Sequence, residues 1–315
     1  MEELGLLSPT LKEVRIYHCQ ALRKMPDLSG LTRLEYLVLS DIDSLEEVVG
    51  CLSPTLKDVN ISSCKALRKM PDLSGLTRLD KLVLFDIDSL EEVGCLSPTL
   101  KHVDIRYCKA LRKMPDLSGL TRLDYLKLGW NSSMEEVGGQ YVSGTLKHLS
   151  IIRCDRMRSF PSLRNCVHLR ELAIGSPVDA AAVVASSAPP NLRTLRLFFN
   201  DKLQSTSEQW EGLSTLLIEN LIVEGSNAVR IDLGCLCPPM NLKSLTVSNC
   251  FSLEEIANSG ELQGLERRCR RLKKLDGVRD IQTYNPGLKR LHSQRCPPSR
   301  EGIHWTLEGS SNIQF

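Results

Sequence analysis

The sequence predicts an α/β solenoid: a curved parallel β-sheet on the concave side, and short helical, 3₁₀ or irregular segments on the convex return. Two observations carry this. Ser8-Pro9-Thr10-Leu11 returns as Ser53-Pro54-Thr55-Leu56 and Ser97-Pro98-Thr99-Leu100, with a looser copy at Ser143-Gly144-Thr145-Leu146, at steps of 45, 44 and 46 residues. Inside each long unit two shorter ones follow one another: Leu11-x-x-Val14-x-Ile16-x-x-Cys19, then Leu34-x-x-Leu37-x-Leu39-x-x-Ile42.

The shorter pattern reopens at Leu56, Leu79, Leu100, Leu123, Leu146, Leu169 and Leu192, every 21 to 23 residues, and twice more at Ile218 and Leu242. Eleven copies of L-x-x-L-x-L-x-x-N/C at this period are the signature of a leucine-rich repeat. In each copy a short strand turns alternate residues inward, so Val14 and Ile16 enter the core while Glu13, Arg15 and Tyr17 face out. One such strand buries too little by itself; stacked coils pair their strands and share one core. In the return, Pro26 stops the sheet and fixes a turn, while Leu22, Met25, Leu28 and Leu31 supply inward contacts.

Residues 1–256 read as regular repeats, 257–296 as irregular terminal repeats with degenerate copies from Arg271-Leu272 and from Leu288 to Cys296, and 297–315 as a tail. Ser176 to Pro190, rich in Ala, Ser and Pro, reads as a short helix plus loop. The basic run Glu266 to Lys274 reads as a solvated convex face. The 315 residues are 42% hydrophobic and 25% charged with a net charge of +2, an ordinary globular composition with no strong global field toward nucleic acid or an anionic membrane. No run approaches the roughly 20 apolar residues of a membrane span. The start, Met1-Glu2-Glu3-Leu4-Gly5-Leu6-Leu7, is unlike a secretory signal, so a cytoplasmic location is expected, with the nucleus as a second compartment.

The cysteines argue for thiols. Cys19, Cys64, Cys108, Cys154, Cys250 and Cys296 take the ninth position of a repeat, which Asn131 and Asn200 fill elsewhere. A small polar side chain there bonds to the backbone of the adjoining coil and forms a ladder. Cys19 and Cys64, two coils apart, are separated by about 9.6 Å, too far to bridge. Cys235-Leu236-Cys237 is too tight for the usual zinc pairing. Phosphate-binding, zincin and nucleophile-elbow motifs are absent. His102 and His148 share an outward strand position and read as surface residues, and the recurring Glu46-Glu47, Glu91-Glu92 and Glu135-Glu136 read as a solvated turn. Neither enzyme activity, cofactor nor metal is expected.

The near-duplicate units can be compared within the chain. Ala21 to Leu34 is identical to 66–79 and to 110–123. The strand before it changes at its outward positions: Glu13, Arg15, Tyr17 and His18 become Asp58, Asn60, Ser62 and Ser63, then His102, Asp104, Arg106 and Tyr107. Likewise Tyr36, Val38 and Ser40 become Lys81, Val83 and Phe85, then Tyr125, Lys127 and Gly129. Drift at exposed sites would have changed Arg23, Lys24, Asp27, Ser29 and Arg33 as well, so the pattern favours a binding surface, although homogenisation between copies would leave a similar block. Eight of the 15 aromatics (Tyr17, Tyr36, Phe85, Tyr107, Tyr125, Trp130, Phe198 and Phe199) sit at outward or flanking strand positions, mixed with charge, as in binding hot spots. The expected partner-binding set is Glu13, Arg15, Tyr17, His18, Tyr36, Asp58, Asn60, Lys81, Phe85, His102, Asp104, Arg106, Tyr107, Tyr125, Lys127, Trp130, Arg196 and Phe198.

The run Cys19-x-x-Leu22-x-x-Met25-Pro26-x-Leu28-x-x-Leu31-x-x-Leu34-x-x-Leu37-x-Leu39, repeated at Cys64 to Leu84, Cys108 to Leu128 and, with Phe160-Pro161, Cys154 to Ile174, resembles the C-terminal repeats of plant intracellular nucleotide-binding leucine-rich-repeat immune receptors. The resemblance covers roughly residues 8 to 256 and lacks the nucleotide-binding and signalling modules. It implies the sensing and autoinhibitory part alone, or a fragment or truncated paralogue of such a receptor. Its partner would be a protein: a pathogen effector, a guarded host protein or the receptor's own switch domain. Nucleic acid is not expected as a partner, nor is a membrane span. A ubiquitin-ligase substrate receptor would use the same face but needs an adaptor motif such as an F-box; a structural scaffold would show no preference for outward variation. Replacing Tyr17, Tyr36, Arg106 and Trp130 together by Ala is expected to abolish partner binding with thermal unfolding nearly unchanged; binding that survives removes the concave-face reading.

Overall fold

A computed structural model describes residues 7–48, 52–139, 141–175, 183, 189–198, 217–233, 242–257, 264–268 and 274–275. The chain divides into two compact units, one of residues 1–179 with 186–192, the other of 180–185 with 193–315. Among the described residues no helix is long and apolar enough to cross a membrane.

The first unit is a parallel β-solenoid. Its sheet holds β1 (Glu13–Tyr17), β2 (Tyr36–Ser40), β3 (Asp58–Ser62), β4 (Lys81–Phe85), β5 (His102–Arg106), β7 (Tyr125–Gly129), β9 (His148–Ile152) and β10 (Glu171–Gly175), each paired in parallel with the next. Two short strands, β6 (Lys113–Met114) and β8 (Glu136–Val137), pair on the return. Register is residue for residue: Val14 faces Leu37, then Val59, Leu82, Val103, Leu126, Leu149 and Leu172. These residues and the opening leucines form continuous buried columns; Leu34, Leu56, Leu79, Leu100, Leu123, Leu146 and Leu169 are fully buried. The signature leucines are therefore the places where one coil closes over the next.

In the second unit β11 (Thr194–Phe198), β12 (Asn220–Glu224), β14 (Ser244–Ser248) and β16 (Gly264–Arg268) form a parallel sheet. A second ladder runs through β13 (Arg230–Asp232), β15 (Glu255–Ala257) and β17 (Lys274–Leu275). Here the structure corrects the basic run. Glu266, Arg267 and Arg268 belong to a sheet strand, not to the convex side, and pair with Thr246, Val247 and Ser248. The twelfth repeat strand among the described residues is Gly264–Arg268, ahead of Arg271-Leu272. Of the stretch read as helix plus loop, Val183 alone is described in a helical turn. Residues 276–315, with the expected copy at 288–296 and the tail, lie outside the described residues, as do Phe199 and Asn200.

Three devices lock neighbouring coils. The recurring Ser-Pro-Thr segment is a hydroxyl clamp. Ser53 Oγ donates to the Leu31 carbonyl at 2.8 Å and Thr55 Oγ1 to that of Leu34 at 2.8 Å. Ser97 and Thr99 repeat this on Leu76 and Leu79, and Ser143 and Thr145 on Leu120 and Leu123. The ninth-position ladder exists as expected. Fully buried Asn131 accepts from the Cys108 backbone N–H and donates to the Ile105 carbonyl, both at 2.9 Å. In thiol coils, the backbone N–H groups of Ile42, Ile87 and Asn131 donate to the sulfurs of Cys64, Cys108 and Cys154.

The third device is charge alternation. On the return, Lys24, Glu47, Lys69, Glu92 and Lys113 bridge in sequence as a second parallel ladder, which Lys113 and Glu136 continue. Lys24 and Glu47 approach to 3.4 Å, Lys69 and Glu92 to 3.1 Å. At the strand entrance Lys57 meets Glu35 at 3.0 Å, Lys101 meets Asp80 at 3.1 Å and Lys147 meets Asp124 at 3.0 Å. Beyond the ninth position Lys109 reaches Asp88 at 3.1 Å. From Lys12 to Lys147 cationic coils alternate with anionic ones, which gives the period of about 45 residues a physical meaning. Two alike coils side by side would set like charges opposite one another in every column.

The paired glutamates are solvated, as expected, and Glu47 and Glu92 are in addition bridge residues of this ladder. Lys24 recurs unchanged where it faces the Glu47 carboxylate, and Asp27 where its Oδ1 accepts the Ser29 N–H at 2.8 Å. Their constancy has a structural cause, so it no longer sharpens the contrast with the variable strands. Gly94 is held in the same way: a Cβ there would lie 2.7 Å from the Pro71 carbonyl oxygen.

Burial ranks these devices. Asn131→Ala strands a backbone donor and an acceptor in the core and is expected to cost roughly 2–4 kcal/mol in denaturant unfolding. Lys69→Glu, on exposed groups, is expected to lower Tm slightly, and that loss should vanish at high salt.

Candidate functional site

The outward face of the first unit's sheet is built by register. Positions three, five and seven of each repeat project from it. The residue after each of β1, β2, β3, β4, β5, β7 and β9 turns the chain with a left-handed backbone: φ is 53° at His18, 56° at Asp41, 49° at Ser63, 55° at Asp86, 59° at Tyr107, 54° at Trp130 and 53° at Arg153. This turn lets the N–H continue the ladder, as when Tyr107 donates to the Gly129 carbonyl at 2.9 Å and Trp130 to that of Ile152 at 3.0 Å. Asp and His are among the residues that tolerate such a backbone best; Tyr and Trp are not. The left-handed region costs a non-glycine residue on the order of 1 kcal/mol.

Two rows of rings cross β4, β5, β7 and β9. In the first, Phe85 meets Tyr107 edge-on at 5.2 Å, and Tyr107 stacks on Trp130 at 5.0 Å with planes 11° apart. The Arg106 guanidinium lies over the Phe85 ring, 5.2 Å from its centroid. In the second row His102 stacks on Tyr125 at 4.2 Å with planes 2° apart, and Tyr125 meets His148 at 6.0 Å. The row continues through charge: Lys81 reaches Asp58 at 3.5 Å on one side, and His148 Nδ1 lies 3.3 Å from Glu171 on the other. Burial and then the neighbouring Lys81 hold the His102 pKa below its usual value. The floor between the rows is Val83, Asp104, Lys127 and Ser150, in register on adjacent strands.

Asp104 is 8% exposed and is held by Arg106, whose Nε and Nη2 donate to its two oxygens at 2.7 and 3.0 Å. Arg106 is therefore part of the fold's electrostatics as well as its surface. The expectation that Arg106, Tyr17, Tyr36 and Trp130 can be replaced together without cost is corrected: removing Arg106 leaves a mostly buried carboxylate without its partner.

The structure gathers Lys81, Phe85, His102, Asp104, Arg106, Tyr107, Tyr125, Lys127 and Trp130 into this patch. Elsewhere Tyr17 and Tyr36 stand 48% and 43% exposed at opposite ends of β1 and β2. Arg15 pairs with Glu13 in their own strand at 2.5 Å, His18 Nδ1 lies 3.9 Å from Asp41, and Asn60 is half-buried between Val38 and Val83. Arg196 and Phe198 lie on β11 of the second unit, half-buried and in register with Ile222 and Glu224. His148 and Glu171 are the residues that sequence reasoning passed over. The signal was present, since His148 repeats the position of His102 with Tyr125 between them.

Among the described residues no three His, Cys, Asp or Glu side chains converge on a metal position. Cys19, Cys64, Cys95, Cys108, Cys154, Cys166 and Cys250 are free thiols. Burial pushes Cys64 and Cys166 up to about 11, and Cys108 and Cys154 to about 12, so these four stay protonated at neutral pH and are poor nucleophiles.

No protein-family model matches the chain, and no curated protein matches it. Among solved structures it is similar to the one titled "Crystal structure of TLR13-ssRNA13 complex", at 17% identity and a TM-score of 0.40. The match covers 77% of this chain and 29% of that one, so this chain spans less than a third of its neighbour's length. The repeat signature and the parallel ladders themselves define the class: a leucine-rich-repeat solenoid.

Arg106→Ala is expected to lower unfolding stability by roughly 1–3 kcal/mol through the stranded Asp104, and the double change Arg106→Ala with Asp104→Ala to recover most of that loss. Denaturant titration of the three variants measures it.

Proposed function

We propose that the chain is a recognition module that binds a partner protein through the ringed patch on β4, β5, β7 and β9. The observation that carries this is the placement of Tyr107 and Trp130. Both occupy a left-handed turn, the position at which other coils put His18, Asp41, Ser63, Asp86, Arg153 and Asn249. A scaffold has no use for two large rings at that backbone. Clustered aromatics beside an arginine are the usual anchors of a protein interface. Parallel strands hold them without rearrangement, so little ordering entropy is lost on binding.

The resemblance of the Cys-to-Leu runs to plant immune receptors supports a finer version, in which this surface is the sensing and autoinhibitory part of such a receptor, working in the cytoplasm. A pathogen protein, a guarded host protein or a switch domain is then the partner, and the chain performs no chemistry of its own.

The test replaces Tyr107 and Trp130 by Asn. Relief of the left-handed backbone offsets the lost stacking, so stability should stay within about 1 kcal/mol of the parent. Proteins captured by the intact chain from its native extract should be lost with this variant. Capture of the same proteins by both chains would refute the patch as the recognition surface.

A further inference from the structure

We infer that the open edge of β1 accepts, in parallel, an extended strand of a partner polypeptide of the form Leu-(Asp/Glu)-x-Leu-x-Leu. This surface is separate from the ringed patch. β1 pairs with β2, and among the described residues no strand lies on its other side. The Lys12 carbonyl accepts the Tyr36 N–H, and the His18 N–H donates to the Ser40 carbonyl. Alternation along a parallel strand therefore turns the backbone groups of Val14 and Ile16 toward β2 and aims those of Glu13, Arg15 and Tyr17 at the open side. Such an edge is a template for a further strand.

The core is open at the same place. Leu11, Ile16, Cys19 and Leu22 are half-buried, whereas their counterparts Leu56, Ile61, Cys64 and Leu67 are fully buried. A hollow of about 200 Å³ lies among Leu7, Leu11, Val14, Ile16, Met25 and Leu28. The inward leucines of a docked strand would cover these side chains and take apolar surface out of water.

The columns say which strand fits. Lys57, Lys101 and Lys147 each reach a carboxylate in the coil before their own, that of Glu35, Asp80 and Asp124. Lys12 holds the same position and is exposed, with Glu35 in the coil that follows it. The hydroxyl clamp points the same way. Ser53, Thr55, Ser97 and Thr99 donate to leucine carbonyls of the preceding coil, but Ser8 and Thr10 are exposed and bond to one another at 2.8 Å. A segment that answers both devices brings a leucine carbonyl to Thr10 and a carboxylate to Lys12, then turns alternate apolar residues inward. Leu34 to Leu39, Leu79 to Leu84 and Leu123 to Leu128 have this form, and each lies beside a coil of the kind that Lys12 opens. Charge complementarity thus selects an acidic residue at the second place.

A second copy of the chain fits less well. A twofold axis that keeps both inward faces on one side of the sheet makes the two β1 edges antiparallel. With Val14 and Ile16 still inward, Lys12 would face Lys12, Val14, Ile16 or His18 of the other copy, none of them a carboxylate.

The experiment uses a fluorescent peptide copying residues 31–42 and the same peptide with Glu35→Lys. Anisotropy measures both on the full chain and on its Lys12→Glu, Arg15→Pro and Tyr107→Asn/Trp130→Asn variants, each checked for parental thermal unfolding. Arg15→Pro removes an edge N–H and spares the bonds to β2. The parent should bind the first peptide saturably and the lysine peptide about fivefold more weakly, and Lys12→Glu should reverse that preference. Arg15→Pro should abolish binding, and Tyr107→Asn/Trp130→Asn should leave it unchanged. If Arg15→Pro does not fold, the charge reversal decides. No saturable binding, binding that survives Arg15→Pro, a preference indifferent to Lys12→Glu, or loss with Tyr107→Asn/Trp130→Asn would each overturn the edge site. A parent that sediments as a dimer and returns to monomer with Arg15→Pro would overturn the partner segment and give the edge to a second copy.

Discussion

Residue-for-residue parallel pairing between coils is the constraint on which the first unit depends. A five-residue strand with two inward side chains cannot form a core alone. Once paired in register, whatever stands at a given repeat position meets its own counterpart in the next coil about 4.8 Å away. The structure is therefore a set of columns, and each must tolerate itself. Leucine columns do so by packing. Ser53, Ser97 and Ser143 do so by passing a hydroxyl bond to the carbonyl of the coil before. A charged column that repeats one sign sets like charges side by side, and from Lys12 to Lys147 the chain avoids this by alternating Lys with Glu or Asp; Arg170 then repeats the sign of Lys147.

Magnitudes separate these columns. The apolar ones carry the stability, at about 25 cal/mol per Å² of surface removed from water. The buried polar ladder adds little net energy while satisfied and costs much when broken. The exposed ion pairs are individually weak, but their alternation runs down three columns together, and shifting the order by one coil would reverse all of them at once. They contribute less to how firmly the coils hold than to which coil follows which.

The same column logic makes the candidate site. Rings at one repeat position on successive coils have no choice but to meet, so Tyr107 stacks on Trp130 and His102 on Tyr125, while Phe85, one position earlier in its coil, meets Tyr107 edge-on. The left-handed turn after each strand aims that row, since its residue continues the hydrogen-bond ladder while turning its side chain at the end of the strand. Asp104 and Arg106 lie between the rows and take charge out of the floor by pairing with one another. What the patch presents to a partner is thus set by its neighbours as much as by its own side chains.

By itself the sequence determined the fold class, the strand frame of eleven coils, the inward and outward positions, the free thiols and the ninth-position ladder, because these follow from a period repeated many times. It also located nine of the patch residues. It missed what depends on contacts between coils: that exposed Glu47 pairs with Lys24, that Arg106 holds the Asp104 carboxylate, and that surface His148 meets Tyr125 and Glu171. The sense of a residue such as Lys69 or Arg106 lies in a partner about one coil away or across a pleat, and only the tertiary structure decides which partner that is. Periodicity reports the average coil; the departures from it that make a site acquire meaning only when the coils are set side by side.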